Sequence, residues 1–236
     1  VSIGGWIYYN TNVLNSYRSG DQAMDLQARY EKEYAQYKDL AQPRIIAIDA
    51  DVDLYPEQRR LTIRGHYQLA NQSAQPIEQL HIQLLPLLQL DSIDFAPNRL
   101  VKHDEPIGYR IYQLDTPMAP GATLDLRFTV SGAERGFGNN IIQTQVVGNG
   151  SFFNSGLFPS FGYSEGGQLV DRNERRKRGL GEVPRMAKLE DEAARANTYI
   201  SDDADWIGFK TRVCTTDGQI ALAPGYLVGE TRDERR

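Results

Sequence analysis

From Arg44 onward the chain alternates apolar and polar residues, and this period of two constrains the fold more than any other feature. Ile46, Ile48, Ala50, Val52 and Leu54 fall on one face of an extended segment, with Asp49, Asp51 and Asp53 on the other. Tyr55-Pro56-Glu57-Gln58 supplies a turn, and Leu61, Ile63, Tyr67 and Leu69 repeat the alternation behind it. Two such runs joined by a turn predict a hairpin that buries one face and wets the other. The three aspartates resemble a calcium motif only superficially. Calcium takes six or more oxygens from a curved loop, whereas a strand spaces its carboxylates apart, so a solvated face is expected.

The pattern persists downstream. Asn71 to Pro76 reads as a polar loop, Ile77 to Leu90 as an apolar strand interrupted at Pro86, and Tyr109 to Leu114 as a short strand. After a Pro-Gly turn at Met118 to Gly121, Leu124, Leu126, Phe128 and Val130 alternate with polar residues. Trp206 to Val213 and Gln219 to Ala223 flank the turn Thr215-Thr216-Asp217-Gly218 and predict a second hairpin. Many short strands with turns between them predict a mainly β fold, an antiparallel β-sandwich or saddle-like curved sheet. It carries an N-terminal helix and one short helix in a long insertion.

The N-terminal helix is expected over 19–41. Ser19 and Gln22 have capping-box spacing, Leu26, Tyr30, Tyr34 and Tyr37 recur at helical intervals, and Pro43 ends the run. The tyrosine stripe fits packing onto the following domain better than a groove for a partner, since tyrosine suits a seam with a wet edge. Two regions result: 1–43, an initial segment plus the helix, and 44–236, the β domain with a long loop region at 131–200. That loop region is first rich in glycine and aromatics (Phe137, Phe152, Phe153, Phe158, Phe161, Tyr163) and then charged. Its basic run, Arg172 to Arg178, reads as a solvated or ion-paired loop rather than a dock for lipid or an acidic partner. A short helix is expected over 184–196.

Chemistry is sparse. The 236 residues carry 26 Lys and Arg against 31 Asp and Glu, a net charge of −5, which gains little from a phosphate backbone and argues against nucleic acid as a partner. Cys214 is the only cysteine, so neither an internal disulfide nor a cysteine zinc site can form. His66, His81 and His103 include no pair four residues apart and no HExxH, and no metal site is expected. No G-x-S-x-G and no phosphate-loop motif occurs; Gly148-Asn149-Gly150-Ser151 reads as a turn. No catalytic residue is assigned. No apolar run reaches 18 residues, and the apolar first nine lack the features of a signal peptide. The abrupt apolar start and charged tail are those expected of a piece of something longer.

Asp51-Val52-Asp53-Leu54-Tyr55-Pro56, Arg60 to Gly65 and Leu69-Ala70-Asn71-Gln72-Ser73 resemble the opening of the zinc aminopeptidase (gluzincin) family, whose site is HExxH plus a downstream Glu. Gln219 to Gly225 is similar to a late strand of that family's N-terminal domain, a saddle-shaped β structure lying over the zinc-bearing domain. Gly5 to Asn12, Asn149 to Asn154 with Phe158-Pro159, and Asp202 to Trp206 are similar to a bacterial subset fused to an ABC-transporter-like permease.

The resemblance implies a non-catalytic N-terminal domain forming one wall of a peptide cleft, with the catalytic domain of the same parent chain as its partner. It implies no cofactor in this chain and zinc only in a region beyond Arg236. It further implies a preceding transmembrane segment and a place on the extracytoplasmic (periplasmic) face of the bacterial inner membrane. The family's amine-binding Q-x-E-like loop would fall near Asn149 and Gly150, making Asn149, Gly150, Phe152 and Phe153 the substrate-cleft candidates. No acid stands there. Asn149 can hydrogen-bond to an amine but cannot pair its charge. An extracytoplasmic ligand- or partner-binding β module without peptidase activity is the alternative, and a structural spacer is a third.

Overall fold

A computed structural model describes residues 2–138, 145–183, 188, 190–192 and 206–232. Helix α1 (Ile3–Tyr8) runs into a π-helical turn (Tyr9–Leu14), and α2 (Gly20–Tyr34) follows. The strands are β1 (Arg44–Tyr55), β2 (Arg60–Ala70), β3 (Ile77–Gln83), β4 (Gln89–Asp94), β5 (Asn98–Asp104), β6 (Tyr109–Met118), β7 (Thr123–Ala133), β8 (Ser160–Phe161) and β9 (Gly208–Cys214). Helix α3 (Arg172–Lys177) lies between the last two.

The strands form a mainly β, sandwich-like domain of two sheets. One has the order β4-β7-β2-β1-β9 and the other β5-β6-β3-β8. Every pairing is antiparallel except β1 with β9. Alternation places Leu61, Ile63, Tyr67, Leu69, Leu126, Phe128 and Val130 of the first sheet against Leu80, Ile82, Tyr112 and Leu114 of the second, all buried in one core. Gly65 faces Phe128 across the β2–β7 ladder because the ring fills the space above it; a Cβ there would come within 2.1 Å of Phe128 Cζ.

The outer face of the second sheet is covered by α2, giving a third layer. Ser19 caps α2 as its spacing predicts: its Oγ accepts from the Gln22 amide and its own amide donates to Gln22 Oε1. Tyr30 and Tyr34 pack with Tyr109 and Ile111 of β6 in a second buried cluster, so the tyrosine stripe is a seam with the domain itself. The regular helix ends at Tyr34 and tightens to a 3-10 turn over Ala35–Tyr37, earlier than the expected 41, and Tyr37 then lies edge-on to His81, 4.6 Å between ring centroids.

Four expectations are corrected. The β1 register shifts between Ile45 and Ala47, so Ile45 and Ile48, not Ile46, reach the core; a bulge adds one residue and inverts alternation on one side of it. The apolar run from Ile77 ends as a strand at Gln83, turns at Leu85 to Leu88 around Pro86, and resumes as β4 in the other sheet. The 206–223 hairpin is replaced by parallel pairing of β9 with β1. Lys210 and Arg212 pair with Asp49 and Asp51 at 2.9 and 2.8 Å, Thr211 Oγ1 donates to the Ala50 carbonyl, and Val213 packs on the core. The turn itself forms, Gln219 N donating to Thr216 O, but no strand follows among the described residues.

The fourth correction concerns the basic run, which is a helix rather than a loop. Asp171 caps α3 by accepting from the amides of Asn173 and Glu174, and Arg175 is buried in a bidentate pair with Glu31 of α2 at 2.6 Å. Arg178 reaches Asp25 at 2.6 Å and also pairs with Glu174, so the ion-paired reading of these charges holds. The helix expected at 184–196 falls for the most part outside the described residues.

Candidate functional site

The outer face of the five-stranded sheet carries a cross-strand array of charged and polar groups. With the core face fixed by Ile63, Tyr67 and Val130, alternation turns Asp49, Asp51, Arg64, His66, Arg127 and Thr129 outward. Register lines these up in two rows across the sheet, Lys210–Asp49–His66–Arg127–Asp94 and Arg212–Asp51–Arg64–Thr129–Ser92. Opposite charges interleave. Arg64 pairs with Asp53 at 2.6 Å, and His66 Nε2 lies 2.8 Å from Asp125 Oδ1. The Asp49 hydrogen bond and charge hold the Lys210 ammonium above its ordinary pKa, and Asp51 does the same for the Arg212 guanidinium.

Two shallow depressions open on this face and share Asp49 and His66. One, of about 400 Å³, is framed by Asp51, Arg64, Arg127 and Asp94; the other, of about 370 Å³, by Gln68, Asp125 and Lys210. A floor of mixed sign with aligned backbone can hold an extended polar or peptide segment through hydrogen bonds and ion pairs. The aspartate row is thus part of an ion-pair ladder, and among the described residues no group of three or more His, Cys, Asp or Glu side chains could hold a metal ion. This face was legible as polar but not as a site, because register across five strands is needed to see the rows.

The histidines stand apart. His66 belongs to the ladder, and His103 is exposed on β5. His81 is fully buried under α2, its Nδ1 2.8 Å from the Tyr109 hydroxyl, and burial pushes its pKa down to about 4, so it is neutral at neutral pH. Burial likewise pushes Tyr30 and Tyr34 up to about 12. The Tyr34 hydroxyl donates to Asp104 Oδ2 at 2.9 Å, while Arg29 reaches Oδ1 at 2.6 Å. These groups are saturated by one another and hold α2 in place.

The substrate-cleft candidates lie on the loop after β7. Asn149 is exposed in a turn closed by Gly150 N donating to Val147 O, and Gly150 takes φ +143°, a conformation side chains avoid. Phe152 projects into solvent, 82% exposed, whereas Phe153 packs against the sandwich core. Gln219 Nε2 donates to Gly148 O and ties this loop to the turn after β9. None of the four lines either depression.

No family model matches the chain, and no curated protein matches it. Among solved structures it is similar in part to an M1 zinc metallopeptidase from Deinococcus radiodurans, at 16% identity and a TM-score of 0.33, over 40% of this chain and 21% of that one. It is also similar in part to leukotriene A4 hydrolase of yeast in complex with bestatin, at 13% identity and a TM-score of 0.31, over 41% of this chain and 16% of that one. The matched part is thus about a fifth of the first of those chains and less of the second.

Proposed function

We propose that this chain is the non-catalytic β domain of an aminopeptidase-like protein, one wall of a peptide cleft that docks a zinc-bearing catalytic region of the same parent. The sequence strings around Asp51 to Pro56 and Arg60 to Ser73 support the family. The observation that carries the docking role is the apolar tract around β9. Trp206, Ile220, Leu222, Tyr226, Leu227 and Val228, which flank β9 in the chain, are all exposed, and the outer side of β9 pairs with no strand among the described residues. An exposed apolar tract and an open sheet edge are both the kind of surface another folded unit covers. In this reading the parent is anchored in the bacterial inner membrane and fused to a transporter permease, with the domain on the periplasmic face. The loop bearing Asn149, Gly150, Phe152 and Phe153 then looks into the cleft.

The test separates the chain from its parent. The 236-residue chain, supplied with zinc, is expected to hydrolyse no aminoacyl arylamide; hydrolysis abolished by a chelator would sink the reading. The region that follows in the parent reading frame, produced separately, should bind the chain, and Leu222→Ser with Tyr226→Ser should weaken that binding without lowering the chain's Tm.

The charged depressions favour a second reading, an extracytoplasmic β module that binds a peptide or partner with no peptidase activity. It predicts that peptides titrate the chain alone, with Arg127→Ala weakening them, whereas the cleft reading requires the following region for tight binding.

A further inference from the structure

The first seventeen residues are uncharged, the first twenty contain Arg18 and no acid, and the whole chain is net negative by five. This charge-free tract also exposes a run of large apolar side chains. Ile3, Trp6, Ile7, Tyr8, Tyr9 and Val13 all face solvent, Trp6 at 57% and Tyr8 at 63%.

The tract is held rigidly rather than trailing. Asn10 Nδ2 donates to the Trp6 carbonyl and Thr11 Oγ1 to the Ile7 carbonyl, both at 2.9 Å, so side chains of the π turn satisfy carbonyls of α1. Asn15 Nδ2 donates to the carbonyls of Arg135 and Phe137 just after β7, and the Trp6 ring packs against Phe137 with centroids 4.9 Å apart. Gly136, at φ +61°, lets the backbone close on Asn10, whose Oδ1 would lie 2.1 Å from any Cβ there.

We infer that this rigid aromatic platform is a lipid-contact surface that seats the domain in the headgroup layer of a bilayer. Among the described residues no helix is long and apolar enough to cross a membrane, and α1 with its π-helical continuation, twelve residues at 1.5 Å or less each, extends at most about 18 Å. Tryptophan and tyrosine combine an apolar ring with a polar tip and concentrate at headgroup depth, and Ile3, Ile7 and Val13 supply the apolar area that enters below them. Charge agrees with this occupant. The tract itself contains no acid, and the exposed Arg135, whose carbonyl accepts from Asn15 Nδ2, stands beside it, where phosphates are reached. The inference rests on the membrane-proximal part of the function proposed above. It is tested by lipid binding alone, so its failure leaves the cleft-wall reading standing, and hydrolysis by the chain would leave this one standing.

The chain has two tryptophans, so Trp206→Phe leaves Trp6 as the sole reporter. Added phosphatidylcholine vesicles, with or without phosphatidylglycerol, should shift Trp6 emission to shorter wavelength, saturably and even in high salt, as apolar insertion rather than long-range attraction requires. Replacing the more exposed Ile3 and Tyr8 together by Ser should cut co-flotation with vesicles about tenfold or more without lowering Tm, while Trp206→Ser leaves it unchanged. Three results would overturn the inference: no spectral shift, an equal loss with Trp206→Ser, or a lipid-independent shift accompanied by dimers in sedimentation, which would make the platform a contact between copies.

Discussion

The two outer faces of the sandwich are built from strands of the same alternating pattern and end in opposite environments. Over β3 and β6, α2 buries His81, Tyr109 and Ile111 beneath Tyr30 and Tyr34. Over β1, β2 and β7 none of the described residues forms a covering layer, and the outward residues are cations and anions that answer one another strand by strand. What differs is the residue set at the outward positions. Aromatics with one polar tip can be covered and still find a hydrogen bond, whereas a row of full charges costs several kcal/mol per ion to desolvate and stays in water. The covered face therefore carries stability, and the bare face is the one free to meet a ligand.

The largest break in that contrast comes from Tyr34→Ala. The ring is fully buried and stacked on Tyr109 at 4.0 Å, so its loss should cost about 4 kcal/mol in denaturant unfolding and release Asp104 from its hydroxyl partner. Gly65→Ala tests the shared core between the faces. Phe128 is itself buried and cannot swing clear, so the expected cost is about 3 kcal/mol, while the charges directly above remain paired. Acid tests the covered face alone. The unfolded chain takes up a proton on His81 near 6.5, while the native chain refuses it until about 4. Stability is full above pH 6.5 and should fall by on the order of 3 kcal/mol as pH drops through that window, with His81→Asn flattening that part of the slope. The smallest effect is expected on the bare face. Lys210→Ala removes an exposed pair with Asp49 and should shift the unfolding midpoint least of all, by an amount that added salt erases.

This difference also explains what could be read in the residues alone. The β1–β2 hairpin, β7 and the α2 cap were legible because each is settled by neighbours in sequence: a turn between alternating runs, or a hydroxyl three residues from a glutamine. The mainly β class followed from them. Ile46 misled because a bulge leaves no mark in the pattern of side chains. Residues 206–223 misled more deeply, since a good local turn favoured a hairpin while the Asp49 and Asp51 carboxylates, far away in sequence, drew β9 to β1. Arg175 looked like one of several surface cations; only the fold brings Glu31 to it. For the candidate site the same rule holds. Adjacent Phe152 and Phe153 are indistinguishable in sequence, yet one is in solvent and the other on the core. The two charged rows of the open face exist only once five strands are in register.

The parallel contact of β9 with β1 has a kinetic consequence. Lys210 and Asp49 are 161 residues apart, and parallel pairing at that separation requires closing a very long loop before any ladder bond is gained. The hairpin β1–β2 and its neighbour β7 close short loops and can form first, which leaves the edge seat beside β1 vacant during folding. β9 is then the last strand to arrive and the first to leave. Amide exchange along Gly208 to Cys214 should outrun that of β2 by orders of magnitude, and until that strand settles, β1 is the exposed edge of the nascent sheet.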